Sequence, residues 1–330
     1  SQIKALRNPW LYGASNKPAA KQLNVAGKRK VFLGISGGIA AVVVLASLIL
    51  GVSMDIQFKG GSMIVMSYDG EISMSGAQKA AESVLGKGLT LQNGSNAATG
   101  QQTVTINLPG AQTLTTEELQ SLTDALQEAC PDNHMEQLQT STVNPTIGGE
   151  FLRKCLVAVV AAVVLILLYI AWRFRRIGGL PAGVIAVIAL FSDLVAVFGA
   201  FVLMRIPLNG NFVAAMLTIL GYSINDTVVM YDRIRENRNL YGDKMPFEEL
   251  VNHSVNQSLR RSINTTLTTC LALATICVMA VVFGLDSIFT FAMPLMVGMI
   301  SGVYTSLCLT TSLWVLWEGK RPNKKKHTAR

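Results

Sequence analysis

Six long apolar runs, separated by polar or charged stretches, set the pattern of this 330-residue chain. The first covers residues 31–53, and five more lie at about 152–172, 179–204, 212–231, 263–283 and 288–317. Each is long enough to cross a hydrocarbon layer about 30 Å thick at ~1.5 Å of rise per residue, so each predicts a transmembrane helix. Residues 54–150 hold no such run. There, 62–68 (SMIVMSY) reads as a strand and 75–85 as a helix with Ala77, Ala80, Ala81, Val84 and Leu85 on one side. A short strand over 89–92, a Gly/Asn/Ser loop over 93–100 and the alternating TVTINL of 103–108 follow. Thr115 and Glu118 have capping-box spacing, which predicts a helix to about Ala129. Residues 135–143 supply the last strand, which Pro145 ends. The order β-α-β-β-α-β is that of the ferredoxin-like split βαβ. The predicted fold is an α-helical membrane protein with six transmembrane helices and a small extracytoplasmic α+β ferredoxin-like domain between helices 1 and 2.

Composition agrees: 50% of residues are hydrophobic and only 15% charged, against about 25% charged in soluble domains. A secretory signal peptide is the competing reading of the first run, but its apolar core would be only ~7–15 residues. Net charge is +8, and its distribution says more than its size. The basic segment 1–30, the turn at 173–178, the charged loop 232–262 and the basic tail 318–330 carry 22 of the 28 Lys and Arg residues. The turns near 205–211 and 284–287 carry only Arg205. The positive-inside rule then puts both termini in the cytoplasm and residues 54–150 outside. That segment has 11 acidic residues against Lys59, Lys79 and Lys87, and reads as a solvated docking module. The five cysteines show neither a disulfide framework nor metal spacing. All three histidines fall outside the spans, which excludes a histidine relay or zinc site in the membrane.

Chemistry concentrates where polar residues interrupt the spans. Asp193 lies near the middle of the third span. Asp226 lies in the fourth, flanked by Ser223, Asn225 and Thr227. A carboxylate at membrane depth costs at least ~2.5–3.5 kcal/mol, so it marks function provided that it faces protein or water. The bland alternative is that Asp226 pins two helices by hydrogen bonds, worth about 0.6–2 kcal/mol. Arg260 and Arg261 open the fifth span, followed by Asn264 and two threonines. One of these arginines turning inward to Asp226 would favour the ionised acid, and alternation between pairing and protonation is what a proton-driven machine needs. The pairs Gly34/Gly38, Gly179/Gly183 and Gly298/Gly302 read as close helix packing, and Pro294 as a kink. Gly60-Gly61 lacks the context of a phosphate loop and reads as a flexible exit from the membrane. The basic tail suits anionic lipids better than nucleic acid.

The run Gly221-Tyr-Ser-Ile-Asn-Asp226-Thr-Val-Val, with Asp232-Arg-Ile-Arg-Glu-Asn237 after it, resembles the signature of the SecF family of bacterial protein-export subunits, in the RND superfamily. Arg261-Ser-Ile-Asn264-Thr-Thr, Gly27-Lys-Arg-Lys30, Phe58-Lys-Gly60-Gly61-Ser and Asn144-Pro-Thr-Ile-Gly-Gly-Glu150 match in the same order. The resemblance implies an RND-type half that uses the proton-motive force to assist Sec-dependent translocation, without enzyme activity and with protons in place of a cofactor. It implies SecD as partner, as a separate chain or a fused half, together with the Sec translocon channel and the unfolded polypeptide in transit. Asp226 would carry the proton and Arg261 would be its basic counterpart, with Asn225 and Asp193 in the relay. Two departures bear on this. Ser192-Asp193 stands where the family commonly has His-Asp, and Gln57 where it commonly has Asp, with Asp55 two residues earlier. A proton-driven small-molecule or lipid exporter half shares the span count, although its outer domains are usually larger. An intramembrane aspartyl protease would need Asp193 and Asp226 as a catalytic pair, and the Gly-x-Gly-Asp context is missing.

Overall fold

The computed structural model describes residues 23–70, 72–85, 89–96, 101–109, 115–131, 133–175, 178–283 and 285–319. Lys4 to Lys21, Arg176 and the tail beyond residue 319, which enter the charge count above, lie outside them. Among the described residues, six helices are long and apolar enough to cross a membrane. They are α1 (Arg29–Leu50), α5 (Pro145–Arg173), α6 (Gly179–Leu203), α7 (Gly210–Tyr241), α8 (Phe247–Phe283) and a composite last span. That span runs through α9 (Asp286–Tyr304), a π-helical segment Thr305–Leu309 and α10 (Thr310–Gly319). Helices are what such sequences must form, because hydrocarbon offers backbone amides no other partner.

Helix α6 is the axis of the bundle. It is buried over 61% of its apolar stretch, against 6% for α5 and 11% for α1. Small residues bring it there. A Cβ on Gly179 would meet the Ala171 carbonyl oxygen at 2.6 Å, and one on Gly183 would meet Leu167 at 2.9 Å. Gly298 of α9 sits equally tightly on Val197 at 2.6 Å and Ile219 at 2.8 Å. The third small-residue pair behaves differently: nothing lies within 4 Å of the missing Cβ of Gly34 or Gly38, so these glycines pack against no helix among the described residues. Pro294 is carried inside α9, and the departure from α-helical winding comes eleven residues later at Thr305.

Between α1 and α5 the chain forms β1 (Gly61–Tyr68), α3 (Met74–Leu85), β2 (Thr90–Asn96), β3 (Gln101–Pro109), α4 (Thr116–Ala129) and β4 (Glu136–Val143). The strands pair antiparallel in the order β2-β3-β1-β4, the ferredoxin-like arrangement. Ile64 lies opposite Ile106 and Met66 opposite Val104, and these four pack under Ala77, Ala81, Leu122 and Leu126. The Thr115 capping box is present, with the Thr115 amide donating to Glu118 Oε2 at 2.9 Å and Thr115 Oγ1 accepting from the Glu118 amide at 3.2 Å. Strand β2 runs on through residues 93–96, which the composition alone assigns to a loop, because pairing with β3 offsets their low strand propensity.

Three boundaries differ from the sequence reading. Pro145 starts α5 rather than only ending β4, which suits a residue with no amide hydrogen to leave unsatisfied in a first turn. Residues 232–262 are not a loop: α7 and α8 run on beyond the apolar stretch and meet at a 3-10 turn, Gly242–Lys244. Their charges fall at helical spacing, with Asp232–Arg235 at 2.9 Å and Arg233–Glu236 at 2.6 Å. Asn237 donates to Ser254 at 2.8 Å and locks the two helices together. The third is a short helix, α2 (Ile56–Lys59), capped by Asp55, whose carboxylate accepts from the Gln57 amide at 2.9 Å. Gly60, at φ +73°, closes it and passes directly into β1, so the double glycine is a helix cap rather than a flexible exit.

Helix α2 is also where the sheet domain is fastened to the bundle. Leu208, in the α6–α7 turn, donates to the Ser53 carbonyl at 2.9 Å and accepts from the Asp55 amide at 3.0 Å. Gln57 Oε1 accepts from the Gly210 amide, in the first turn of α7, at 2.9 Å. Phe58 stacks on Phe151 of α5 with ring centroids 5.7 Å apart.

Close packing at Gly298 and open space at Gly34 predict opposite outcomes for the same substitution. Gly298→Ala destabilises the detergent-solubilised protein by about 1–3 kcal/mol through overpacking. Gly34→Ala leaves thermal stability unchanged or slightly raised. Thermal unfolding of the two variants side by side checks this.

Candidate functional site at the centre of the bundle

Asp193 is brought to the bundle centre by the Ala- and Leu-rich face of α6 and is fully buried. Three other segments reach it with hydroxyls. Ser223 of α7 donates at 2.5 Å, Ser301 of α9 at 2.7 Å, and Thr305 of the π segment lies 2.9 Å from both carboxylate oxygens. The π turn puts an extra residue into the helix, which turns Thr305 toward Asp193 and Ser306 toward α7. Ser306 then meets Thr227 at 3.0 Å and the Ser223 carbonyl at 3.3 Å. The missing Cβ of Gly302 would lie 3.4 Å from Ser223 Oγ, so that glycine keeps α9 against this network. Thr310, Thr311 and Ser312 continue the buried hydroxyls along α10. Below them Tyr231 donates to the Ala182 carbonyl at 2.9 Å and meets Trp314 edge-on at 4.6 Å.

Asp226 is different. It is also buried, yet its Oδ2 has no hydrogen-bond partner among the described residues. Arg261 is near enough to act on it electrostatically, but the ion pairs among the described residues do not include this one. The Arg261 side chain instead lines an open pocket of about 420 Å³ with Asp232, Arg233, Glu236 and Gln257. Asp232 and Glu236 are paired with other arginines, and the inward pairing of Arg261 expected from sequence is not closed.

The remaining candidates face outward. Asn225 is exposed on α7, in one line with Thr218 and Gly221. On α8, Arg261, Asn264, Thr265 and Thr268 are exposed at i, i+3, i+4 and i+7, which is one helix face. Arg260 is exposed beside Arg261. The structure therefore gathers Asp193, Thr227 and Gly302 around one buried network, with Gly298 packed nearby on Val197 and Ile219. It leaves Asn225, Arg260, Arg261 and Asn264 on the surface around Asp226. Ser301, Thr305 and Ser306 did not stand out in the sequence. The available signal was the hydroxyl density of the last span, where Ser301, Thr305, Ser306, Thr310, Thr311 and Ser312 interrupt an apolar run. Among the described residues no His, Cys, Asp and Glu cluster could hold a metal ion.

Residues 122–320 match the family model described as protein export membrane protein SecD/SecF, C-terminal. The chain is 39% identical over 217 residues to the protein translocase subunit SecF of Synechocystis sp., covering 64% of this chain and 66% of that protein. It is 33% identical to SecF of Alicyclobacillus acidocaldarius over 89% of this chain and 92% of that one. It is 29% identical to the protein translocase subunit SecDF of Bacillus subtilis over 90% of this chain and 38% of that one. The crystal structure of SecDF, a translocon-associated membrane protein from Thermus thermophilus, superposes with a TM-score of 0.77 at 28% identity. That match covers 96% of this chain and 42% of the other. The chain thus spans about two-fifths of the SecDF proteins it resembles.

If the Asp193 cluster holds the bundle together, Thr305→Val destabilises the protein by about 1–3 kcal/mol, the penalty for leaving a buried acceptor short of a donor. Thr275→Val, at an exposed threonine bonded only to its own helix, changes stability little. Chemical or thermal unfolding in detergent compares them.

Proposed function

The chain belongs to the SecD/SecF family of protein-export membrane proteins, and from that premise we propose that it is a SecF-like subunit driven by the proton-motive force. In this reading Asp226 takes up and releases the proton, Arg261 is its counter-charge, and Asp193 is a positioning residue that holds α6, α7 and α9 around them. The observation that carries the reading is the incompleteness of the site. Asp226 has an unsatisfied buried oxygen, and around it Thr218, Gly221, Asn225, Asn264, Thr265 and Thr268 present polar or bare backbone surface at membrane depth. The hydroxyls of Thr218, Thr265 and Thr268 bond carbonyls of their own helices, but the side-chain amides of Asn225 and Asn264 have no partner among the described residues, and a second protein surface is the cover that would supply one. A SecD-like half, separate or fused, is the partner that the family supplies. The Sec translocon channel and an unfolded polypeptide in transit complete the assembly, with the sheet domain as the part that meets the emerging chain.

Energetics fit a single acid. One elementary charge moved through 100 mV is worth ~2.3 kcal/mol, enough to shift a two-state equilibrium about fiftyfold. Protonation of Asp226 removes its attraction to Arg261 and loosens α8 against α7 at that level; deprotonation restores it. The charge distribution supports termini in the cytoplasm and the sheet domain outside, and the helical hairpin of α7 and α8 then projects into the cytoplasm. The burial of Asp193 and its bonds from Ser223, Ser301 and Thr305 support a positioning role for it over a hydrolytic one.

Two substitutions test it. Asp226→Asn reduces proton-motive-force-dependent export by inverted membrane vesicles at least about tenfold, the effect of losing ~1.4 kcal/mol of coupling. It still inserts and co-purifies with SecD; undiminished export in this variant would refute the assignment. Arg261→Ala impairs export more than Arg260→Ala, and the reverse order would move the counter-charge to Arg260.

A further inference from the structure

At the end of the bundle remote from the sheet domain, α5 leaves the apolar layer through Trp172 and Arg173, and the chain turns at Arg175. Arg235 and Asn239 of α7 face this corner. Together these five residues line an open pocket of about 380 Å³. Two of its three guanidiniums converge on one carboxylate. Asp232 pairs with Arg173 at 3.1 Å and with Arg235 at 2.9 Å. Arg175 is exposed and makes no ion pair among the described residues. Phe174 lies beneath, with Arg173 at 5.3 Å and Arg235 at 5.9 Å from its ring centre. The aromatic face and the carboxylate fix two of the forks in place, so little ordering remains when an anion arrives. One negative charge against three positive ones leaves the pocket at +2.

The approach to the pocket has a distinct chemistry. Leu165, Leu168, Tyr169 and Trp172 are all exposed on α5 at helical spacing, forming an apolar strip that ends at the arginines. A tryptophan at that position sits at headgroup level. A free anion would use the arginines and leave the strip unused; a molecule with a phosphate and acyl chains uses both. We propose that this pocket binds the phosphate of an anionic phospholipid, with its acyl chains along Leu165, Leu168 and Tyr169. Guanidinium forks match phosphate oxygens two at a time, and basic pockets between transmembrane helices are where such headgroups are held. The site rests on the functional reading above only for which leaflet it faces.

Native mass spectrometry of the purified full chain in detergent, with phosphatidylglycerol or phosphatidylcholine added, tests the site. Phosphatidylglycerol is retained in preference to phosphatidylcholine. Arg175→Gln weakens its retention about fivefold and Arg175→Gln with Arg235→Gln about twenty-fivefold, each arginine contributing ~1 kcal/mol. Phosphatidylcholine retention does not change, and Arg153→Gln, at the opposite end of α5, has no effect. Arg175 anchors no other side chain by an ion pair, so the single variant keeps the test intact where the double variant fails to fold. Equal retention of the two lipids, or an unaffected Arg175→Gln, overturns the proposal. Displacement of phosphatidylglycerol by equimolar inorganic phosphate overturns it too, by making the ligand a free anion. Retention is read without export, so a failure of the Asp226 assignment leaves this result unaffected, and the converse holds.

Discussion

A single carboxylate with no access to water sets the arrangement of the membrane half. Asp193 cannot remain at the bundle centre unless its lone pairs are occupied, and the hydroxyls that occupy them come from α7, α9 and the π segment. Three separate stretches of chain are thereby held to α6 at fixed rotation. Apolar packing alone would let these helices turn about their axes, since one leucine face resembles another. Hydrogen bonds to a buried acid do not. The small residues of α6 and α9 then determine how close the helices come, and the π turn is the local deformation that lets one helix contribute both Thr305 and Ser306.

Two intramembrane acids therefore do different things. Asp193 has all its partners within the chain. Asp226, one helix away, is left with an orphan oxygen, a guanidinium that has not closed on it, and the exposed amides of Asn225 and Asn264 on the neighbouring surface. Ser223 links them, donating to Asp193 from the same face of α7 that carries Asp226. A rigid acid beside an unsatisfied one is a sensible division of labour: the first fixes the geometry within which the second can change state.

Much of this was legible in the chain. Run lengths gave the six spans, and Thr115 with Glu118 located the start of α4 to the residue. The alternation around Thr103 fixed the sheet's central pair. What escaped has physical causes. Residues 232–262 read as a loop because they are charged, yet charges at i and i+3 support a helix in water as well as apolar residues do in lipid. Helix α2 is one turn long and owes its existence to the Asp55 cap and to Leu208, more than 150 residues away. The π turn follows from contacts with Asp193 and α7, and local propensity does not report it. Gly34 and Gly38 have the spacing of a packing motif, but spacing cannot reveal whether a neighbour is present. The acids at 193 and 226 stood out at once; which was satisfied and which was not depended on hydroxyls contributed by the last span.

Helix α7 is an unbroken rod of 32 residues, about 48 Å at ~1.5 Å per residue. Its first turn is hydrogen-bonded to Gln57, at the root of the sheet domain, and its far end carries the charged hairpin. Asp226 sits near the midpoint, ~24 Å from the first residue. A tilt of about 10° pivoting there would carry that root sideways by roughly 4 Å, with an opposite swing of similar size at the hairpin. Because the two ends are levered from one fulcrum, a gain or loss of charge in the middle of the membrane can be felt on both of its faces without any bond being broken along the way.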